Sequence, residues 1–290
     1  MAQWAKRFFL SYPFLGLVGA VLGLWGFFAL GGGIPKVGVI TIPYTILYSD
    51  TAADIVSKVL YARERTDIKA VVVRLDSPGG GVAASEEVFL QFAEVRQRKP
   101  LVVAVDDLAA SGGYLAALGA NYIYVKPTSF VGNVGAVFFL PRDIGRPVED
   151  IVATGPFKVE GASYRMYVNI LEMVKEAFWE TVRSQRGERL RLSREEVLTG
   201  RLFLGMEAVR YGMADEIGSA SDAIRKAATM AGLRRYQVVD VNAEVARLRQ
   251  QGGASYTLDT PPGPPRYQSV RDFLASARFP YIYYLYVEPR

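Results

Sequence analysis

Three apolar, β-branched segments alternate with two amphipathic segments between residues 36 and 110, and this alternation constrains the fold more than any other feature. The apolar segments read KVGVITIPYTIL, IKAVVVRLDSPGGG and KPLVVAVDDLA, and each is typical of a strand. The segments between them, SDTAADIVSKVLYARER and VAASEEVFLQFAEVRQR, carry apolar residues at helical spacing. Strands that alternate with helices in this way form βαβ units, which predicts an α/β fold with a mainly parallel sheet and flanking helices.

The following residues continue the pattern with shorter elements. We predict a helix over AASGGYLAALGA, short strands at YIYVKP and GAVFFL, and a long helix over residues 162–186. Ser193 and Glu196 fit a capping box, and Ser221 is expected to cap a later helix that Gly232 ends. The segment YQVVDVN predicts one more strand.

An uncharged segment precedes this pattern. Residues 8–35 contain no charged residue, and their first part is long enough to cross a bilayer as a helix. Lys6 and Arg7 precede the segment and the next charge is Lys36. This asymmetry predicts a single-pass protein of the cell membrane with a cytoplasmic N-terminus and an extracytoplasmic remainder. A cleaved signal peptide is the alternative, although the apolar run is long for one and no clear cleavage site follows.

The expected domain organisation has three parts. Residues 1–35 form a cytoplasmic stub and transmembrane anchor, and residues 36–250 form the globular domain. Residues 251–290 comprise a Gly/Pro-rich linker, QGGASYTLDTPPGPPRYQ, and an aromatic tail that ends in FPYIYYLYVEPR. The sequence leaves open whether this tail packs on a neighbouring molecule or lies near the functional site.

Two missing residue types exclude much of the chemistry open to such a domain. The chain has no cysteine, which rules out disulfides, thiolate nucleophiles and zinc–thiolate or iron–sulfur sites. It has no histidine, which rules out Ser–His mechanisms and HExxH metalloproteases. The net charge of +5 is scattered, so we expect no nucleic-acid partner. Acid–base chemistry must use Asp, Glu, Lys, Tyr or a chain terminus, and we expect no metal ion and no cofactor.

Two glycine turns stand where strands are predicted to end. DSPGGG, residues 76–81, offers backbone N–H groups that can hold a developing oxyanion, or it is a plain tight turn. ASGGY places Ser111 between a strand and a helix, either as an exposed nucleophile or as a helix N-cap. Its glycines would permit an unusual backbone there. Because sites form at the carboxyl edge of parallel strands, we expect the two turns to lie together.

A serine nucleophile without histidine needs another base. A lysine can serve when burial or nearby positive charge lowers its pKa. Lys158, in ATGPFKVEGASY, stands in a Gly/Pro-bracketed loop before the predicted long helix and has mostly apolar neighbours. The alternative at this position is a solvated surface lysine, which is what most lysines are.

Together these motifs resemble the signal peptide peptidase A family of membrane-anchored Ser–Lys proteases. The likeness runs from about Lys36 to Leu233 and rests on four blocks in order: AVVVRLDSPGGGVAASEEV, ASGGYLAALGANYIYVKPTSFVGNVGAV, GPFK and GRLFLGMEAVRYGMADEIGSASDAI. The resemblance implies a crotonase/Clp-protease-like fold and hydrolysis of hydrophobic peptides such as cleaved signal peptides. It also implies a homo-oligomeric ring, in which the lysine of one subunit can complete the site of its neighbour.

The resemblance also implies roles for individual residues. Carried over by position, Ser111 is the nucleophile and Lys158 is the general base. Backbone N–H groups of Gly79 or Gly80, together with Gly112, form the oxyanion hole.

Two positions extend or depart from the family pattern. Ser129, in PTSFVG, matches a hydroxyl that the family places near the dyad lysine. Asn133 stands where the family often has serine, which leaves a polar role there open.

The leading hypothesis is a membrane-anchored serine endopeptidase with a Ser–Lys dyad. A stomatin-partner-type protease would share this chemistry and differ in its target, a specific C-terminal hydrophobic motif. An acyl-CoA enzyme of the crotonase type would bind coenzyme A. A non-catalytic anchored scaffold would use its serine only as a helix cap and would not react with an active-site serine probe.

Overall fold

The computed structural model describes residues 12–29, 33–139, 154, 163–252 and 282–285. The helices are α1 (Tyr12–Ala29), α2 (Ser49–Glu64), α3 (Val82–Arg98), α4 (Gly112–Ala117), α5 (Tyr164–Arg186), α6 (Arg194–Val197), α7 (Gly205–Arg210), α8 (Ala220–Met230) and α9 (Val241–Gln250). The strands are β1 (Lys36–Ile42), β2 (Ile46–Leu47), β3 (Ile68–Ser77), β4 (Gly79–Gly81), β5 (Leu101–Ala110), β6 (Tyr122–Val125), β7 (Phe130–Gly132), β8 (Val137–Phe138), β9 (Leu202–Leu204), β10 (Glu216–Ile217), β11 (Gln237–Asp240) and β12 (Ile282–Leu285).

Helix α1 covers part of the uncharged N-terminal segment. It has 18 residues and none of them is charged. Its large apolar side chains, among them Leu17, Leu22 and Trp25, are exposed. Across the described residues, no helix has both the length and the apolarity to span a membrane. The transmembrane helix predicted within residues 1–35 is therefore not supported by this part of the chain.

The main sheet forms the centre of the fold. Its strand order is β10-β6-β5-β3-β1-β11, and each neighbouring pair along this path is parallel. Strand β7 pairs in parallel with the end of β5, and β9 pairs antiparallel with β7. A smaller sheet has the order β2-β4-β12-β8. The prediction of an α/β fold with a mainly parallel sheet and flanking helices is confirmed.

Apolar side chains cover both faces of the main sheet. In β3, Val71 and Val73 pack into one cluster with residues of α2 and α3. Ala70 and Val72 pack into a second cluster with the alanines of α8. A valine that is fully buried in this way contributes about 1.5–3 kcal/mol relative to an exposed one. Because both faces are buried, the strand reads as a continuous apolar run rather than as an alternating one.

Local capping signals fix the ends of two helices. The predicted capping box of Ser193 and Glu196 is present at α6. At α8, the prediction that Ser221 is the cap is wrong, because the N-cap is Ser219. Ser219 accepts a hydrogen bond from the backbone N–H of Asp222 and donates its own backbone N–H to that carboxylate, which completes a reciprocal box. Gly232, with φ of 69°, follows the helix as predicted.

A buried ion pair joins the end of α5 to the loop before β10. Arg186 and Asp215 have side chains only 3% and 5% exposed, and their charged atoms lie 2.8 Å apart. The guanidinium also donates to the carbonyl oxygen of Gly212 at 2.6 Å, and the carboxylate accepts the backbone N–H of Ile123 at 2.8 Å. Both charges are thus hydrogen-bonded, as buried charges must be.

Candidate active site

The two glycine turns lie side by side at the carboxyl edge of the main sheet. Strands β3 and β5 are parallel neighbours, and Ser77 pairs with Ala109 near their ends. Helix α4 starts just beyond β5 and contacts β4. A Cβ atom on Gly113 would lie 2.6 Å from the carbonyl oxygen of Ser77, so this close approach requires glycine. The prediction that the turns lie together is confirmed.

Ser111 occupies the sharp turn between β5 and α4. Its backbone has φ of 52° and ψ of −120°. A positive φ is uncommon for a residue other than glycine, and such strain costs of order 1–3 kcal/mol and persists only where the surroundings enforce it. Here the backbone N–H of Ser111 donates to the carbonyl oxygen of Gly132 at 2.7 Å. The sequence predicts an unusual backbone at the glycines, whereas the structure has it at the serine itself.

The hydroxyl of Ser111 does not cap the helix that follows. The residue occupies the N-cap position of α4, yet its side chain makes no capping hydrogen bond. The alternative of a simple N-cap is therefore wrong. A strained strand-to-helix turn that carries serine is the arrangement that presents a nucleophile. However, Ser111 is only 1% exposed. The prediction of an exposed serine is therefore wrong, because other segments of the folded chain cover it.

The turn at β4 is shaped by contacts that only glycine permits. A Cβ atom on Gly80 would lie 1.8 Å from the carbonyl oxygen of Leu47 in β2. Gly79 has φ of 99°, and its backbone N–H donates to the hydroxyl of Ser77 at 3.2 Å. That hydroxyl in turn donates to the carbonyl oxygen of Thr45 at 2.6 Å. Ser77 therefore fixes the turn, a role that sequence analysis missed although the residue lies inside DSPGGG.

Backbone N–H groups from both turns lie at the edge of the sheet that carries Ser111. Gly112 is the first residue of α4, and the first N–H groups of a helix have no partner within it. The structure thus brings Ser111, Gly79, Gly80 and Gly112 to one edge of the sheet. Their assignment as nucleophile and oxyanion donors stays a prediction.

Ser129 and Asn133 hold the loops around β7. The hydroxyl of Ser129 donates to the carbonyl oxygen of Lys126 at 2.9 Å, and the carbonyl oxygen of Ser129 accepts the N–H of Gly205 at 2.7 Å. Asn133 has φ of 54°, which asparagine tolerates, and its amide donates to the carbonyl oxygen of Gly200 at 2.6 Å. Both residues therefore stabilise the loops through hydrogen bonds. The role of Ser129 beside the dyad lysine stays a prediction.

The predicted base, Lys158, lies outside the described residues. Among the described lysines, Lys126 follows β6 at the same edge of the sheet. Its ammonium lies 3.4 Å from the carboxylate of Asp106, and its side chain is 44% exposed. A lysine base needs burial or nearby positive charge, and Lys126 has neither burial nor a cationic neighbour among its ion-pair partners, so Lys158 remains the candidate.

Asp76 places a partly buried carboxyl group at this edge of the sheet. The pairing of β3 with β5 shifts register between its two neighbours, and the side chain stands beside that irregularity. Its Oδ1 atom is buried without a hydrogen-bond partner in the described part of the chain. Burial, followed by the charges of Asp107 and Asp106, raises its pKa to about 6, against the opposing effects of the Leu108 N–H and Lys126.

Tyr114, the third residue of α4, ties this helix to the loop that contains Met213. It is fully buried, and its hydroxyl donates to the carbonyl oxygen of Met213 at 2.9 Å. Burial raises the pKa of this phenol above its ordinary value. The residue therefore stays neutral and positions the helix that follows Ser111. Its place in ASGGY, directly after the glycines, was the only sequence signal for this role.

Several known proteins are similar to this chain. The model of peptidase family S49 matches residues 93–142, which include β5, Ser111 and α4. Among solved structures, the chain is similar to the 1510-N membrane-bound stomatin-specific protease, with 19% identity, 64% of this chain and 81% of that chain covered, and a TM-score of 0.44. A ClpP1 mutant from Listeria monocytogenes aligns with 15% identity, coverage of 64% and 94%, and a TM-score of 0.46.

Curated relatives extend the match along the chain. Protease 4 from Salmonella typhi is 29% identical over 202 residues, which cover 65% of this chain and 32% of that protein. Protease 4 from Haemophilus influenzae is 28% identical, with coverage of 69% and 35%. The chloroplastic serine protease SPPA of Arabidopsis thaliana is 29% identical, with coverage of 67% and 30%. The alignments span about a third of each of these relatives. These matches confirm the resemblance to signal peptide peptidase A and to the S49 peptidases.

Proposed function

We propose that the protein is a membrane-anchored serine endopeptidase that hydrolyses hydrophobic peptides such as cleaved signal peptides. One observation carries the proposal. Ser111 lies in a strained turn at the carboxyl edge of a parallel sheet, and its hydroxyl makes no capping hydrogen bond to the helix that follows. The match of the S49 peptidase model to residues 93–142 supports the class of reaction.

The proposed reaction uses the two turns and one amine. The Oγ atom of Ser111 attacks the scissile carbonyl carbon, and the neutral amine of Lys158 takes the hydroxyl proton. The carbonyl oxygen becomes an oxyanion that accepts hydrogen bonds from the backbone N–H groups of Gly112 and Gly80. We assign Gly80 rather than Gly79 because the N–H of Gly79 already donates to the hydroxyl of Ser77.

The same groups complete the turnover. When the tetrahedral intermediate collapses, the peptide C–N bond breaks and the ammonium of Lys158 gives its proton to the leaving amine. The acyl group then remains on Ser111 as an ester. Water attacks this ester with Lys158 again as the base, which releases the acid product and restores the hydroxyl. No metal ion or cofactor takes part in this sequence.

The dyad predicts a pH profile. An ordinary lysine has a pKa of ~10.4, so a base that works near neutrality must have a lowered one. Below that lowered pKa the amine is protonated and inactive, and above it the amine is neutral. We expect kcat/KM to rise through one ionisation and to stay high at roughly pH 8 to 10. An optimum near pH 5 would instead indicate a carboxylate mechanism.

The proposed location is the cell membrane, with the N-terminus in the cytoplasm and the protease domain outside it. Two observations support an anchor. The uncharged segment of residues 8–35 extends beyond α1 in both directions, so its apolar length exceeds that of the described helix. The apolar side chains of α1, such as Leu22 and Trp25, are exposed in the folded chain. Lys6 and Arg7 before the segment support the orientation.

We further propose that the protein assembles into a homo-oligomeric ring. The first half of α5 carries large apolar side chains that are exposed, with Tyr164 at 75% and Met173 at 64%. An exposed apolar face of this kind marks an interaction surface. Lys158 lies shortly before this helix in sequence, so a contact through α5 would bring the lysine loop close to a neighbouring subunit.

The decisive experiment follows peptide hydrolysis by the full chain in detergent micelles. Ser111→Ala and Lys158→Ala should each abolish cleavage of an uncharged peptide, while Ser184→Ala, a serine on the exposed face of α5, retains it. An active-site serine probe should label the unchanged chain and the Ser184→Ala variant but not Ser111→Ala. Labelling that survives Ser111→Ala would refute the assignment of the nucleophile.

Mixing the two inactive variants tests the sharing of the dyad. If Ser111 and Lys158 act together from different subunits, co-expressed Ser111→Ala and Lys158→Ala chains form some intact sites and recover part of the activity. If both residues act within one chain, every site in the mixture lacks one member and activity stays absent.

A further inference from the structure

The amino edge of the main sheet is the place where the chain passes from the uncharged N-terminal segment into the globular domain. Lys36 is the first residue of β1, and it pairs with Ile68 of β3 on one side and with Gln237 of β11 on the other. The starts of these three parallel strands are therefore level with one another. The chain between Ala29 and Lys36 can span at most about 25 Å, so a membrane anchor before it would hold this edge close to the bilayer.

Exposed cations that are scattered along the sequence come to this edge. Lys69 is the second residue of β3, and Arg234 and Arg235 lie in the loop before β11. All three residues are exposed, and in the part of the chain that the structure describes none of them forms an ion pair. We call these three residues the amino-edge basic surface.

The other charges at this edge do not neutralise the basic surface. The carboxylate of Asp67 is shared by two cations, Lys36 and Arg65, each at 2.9 Å. The ammonium of Lys99 donates to the carbonyl oxygen of Arg65 at 2.6 Å. Burial, followed by the charge of Lys69, lowers the pKa of Lys99 to about 8. The carboxylates near the ends of α2 and α3 are paired with cations of the same helices: Glu64 with Arg63, and Glu94 with Arg63 and Arg98.

Acidic side chains lie at the opposite edge of the sheet. Asp76, Asp106 and Asp107 stand near the carboxyl ends of β3 and β5, and the side chain of Asp107 is 84% exposed. The cations there, Arg74 and Lys126, both pair with Asp106. Because β3 has ten residues, roughly 30 Å separates the two edges. An anionic membrane surface would therefore attract the amino edge and repel the carboxyl edge.

We propose that the amino edge of the main sheet lies on the membrane, where Lys69, Arg234 and Arg235 bind the headgroups of anionic lipids. This inference rests on the proposed function, because the anchor is what brings the edge to the bilayer. Lipid is the occupant because the chain itself carries this edge to the membrane, and because cations without a protein partner attract phosphate groups within a Debye length of about 8 Å.

This orientation has a consequence for the substrate. Ser111 follows β5 at the carboxyl edge, so it would face away from the membrane at a height of roughly 30 Å. A hydrophobic peptide that is still embedded in the bilayer does not reach a site at this height. The substrates are then peptides that have left the lipid.

The strength of the contact follows from the number of cations. Each Lys or Arg close to an anionic membrane strengthens the attraction about fivefold, so the three residues together favour the contact by roughly 100-fold. Because the domain is tethered, this factor acts on the equilibrium between molecules whose amino edge lies on the bilayer and molecules whose domain is free.

The test measures the orientation of the full chain in nanodiscs. The chain contains no cysteine, so one introduced cysteine gives one defined labelling position. Gln97→Cys labels the amino edge near the end of α3, and Thr128→Cys labels the carboxyl edge after β6; both native residues are exposed. Single-molecule energy transfer from each dye to an acceptor lipid is compared in discs with phosphatidylglycerol and discs of phosphatidylcholine alone. In the anionic discs, we expect strong transfer at Gln97 and weak transfer at Thr128, which lies roughly 20 Å further out.

Removing the charges should abolish this orientation. We expect Lys69→Gln, Arg234→Gln and Arg235→Gln together to lower the ratio of oriented to free molecules about 100-fold. Discs of phosphatidylcholine alone should have the same effect on the unchanged chain. The matched control removes three cations that are ion-paired on other surfaces: Lys175→Gln, Arg194→Gln and Arg201→Gln. We expect the control to leave the ratio unchanged. Equal ratios for the two triple variants, or for the two lipids, would overturn the proposal.

The same measurement separates this inference from the proposed function. It requires no hydrolysis, so the Ser111→Ala chain should give the same ratio whether or not the protein is a protease. A chain that does not co-purify with nanodiscs has no anchor, which would overturn the proposed location and this inference together. A chain that stays in the discs while its two dyes transfer equally would overturn the lipid contact alone. A ratio that rises with the number of chains per disc would show a contact between copies and would also overturn it.

Discussion

Asp76 is expected to destabilise the folded chain at neutral pH, and removing its charge should make the protein more stable. The carboxyl is partly buried, and one of its oxygen atoms has no hydrogen-bond partner in the described part of the chain. Burial and the carboxylates of Asp107 and Asp106 oppose its ionisation. Asn at this position is uncharged and keeps an oxygen that can accept the N–H of Leu108. We therefore predict that Asp76→Asn stabilises the fold.

The magnitude follows from the pKa. Its rise from 3.8 to about 6 corresponds to ~3 kcal/mol in the free energy of unfolding if no solvent screening applies. Because the group is only half buried, we reduce this figure to ~1.5 kcal/mol. The folded state binds the proton more tightly, so stability falls as pH rises from about 4 to about 6, and the full penalty applies above that range. The gain from Asp76→Asn should be complete at pH 8 and absent below pH 4.

Thermal unfolding of the full chain in detergent, followed by circular dichroism between pH 4 and 8, measures this effect. A gain of 1.5 kcal/mol corresponds to a rise in Tm of roughly 3–6 °C at pH 8 for a domain of this size. Glu188→Gln removes an exposed carboxylate and is the control, for which we expect no pH-dependent change. A lower Tm for Asp76→Asn at pH 8, or an equal gain at pH 4 and pH 8, would refute the reasoning.

Three further substitutions test the packing around the site. Arg186→Met leaves the buried carboxylate of Asp215 with only the half-exposed Arg189 as its cationic partner, so we expect a loss of about 3 kcal/mol in urea unfolding, the lower end for a broken buried pair. Gly80→Ala forces a Cβ atom against a backbone carbonyl and should abolish peptide cleavage, whereas Gly81→Ala, whose Cβ atom would have 3.8 Å of room, should retain it. Ser111→Gly should end activity and raise the unfolding free energy by ~1 kcal/mol, the relieved strain less the added freedom of the unfolded chain. Ser111→Ala should end activity without that gain, as a comparison of urea midpoints will show.

The sequence predicted the central part of the fold because its signals are local and strong. The strands and helices between Lys36 and Ala110 follow from runs of β-branched residues and from helical spacing, and both patterns reflect burial against the same sheet. The proximity of the turns at β4 and Ser111 could be predicted because neighbouring parallel strands end at the same edge of the sheet. That rule needed only the strand directions and no knowledge of contacts.

Where the prediction failed, a particular hydrogen-bonding partner decided the outcome. Ser219 and Ser221 are equivalent as local helix caps, and the choice depended on the carboxylate of Asp222, which reciprocates only to Ser219. Ser77 looked like part of a turn, and its role became visible only through the carbonyl of Thr45. The pairing of β12 with β4 links segments that lie far apart in the sequence, for which no local pattern exists.

The backbone conformation of Ser111 also depends on a hydrogen-bond partner that is distant in sequence. Strand β5 pairs with β6 over Val102–Val105 and with the short strand β7 over Leu108–Ala110, so the strand changes its neighbour before it ends. The N–H of Ser111 is the next donor in this second ladder and bonds to the carbonyl oxygen of Gly132. This bond ties the turn to β7 and so favours the positive φ that serine would otherwise avoid. Because three residues are too few to produce a recognisable strand pattern, β7 went unseen in the sequence, and with it the contact that sets the serine apart from an ordinary helix cap.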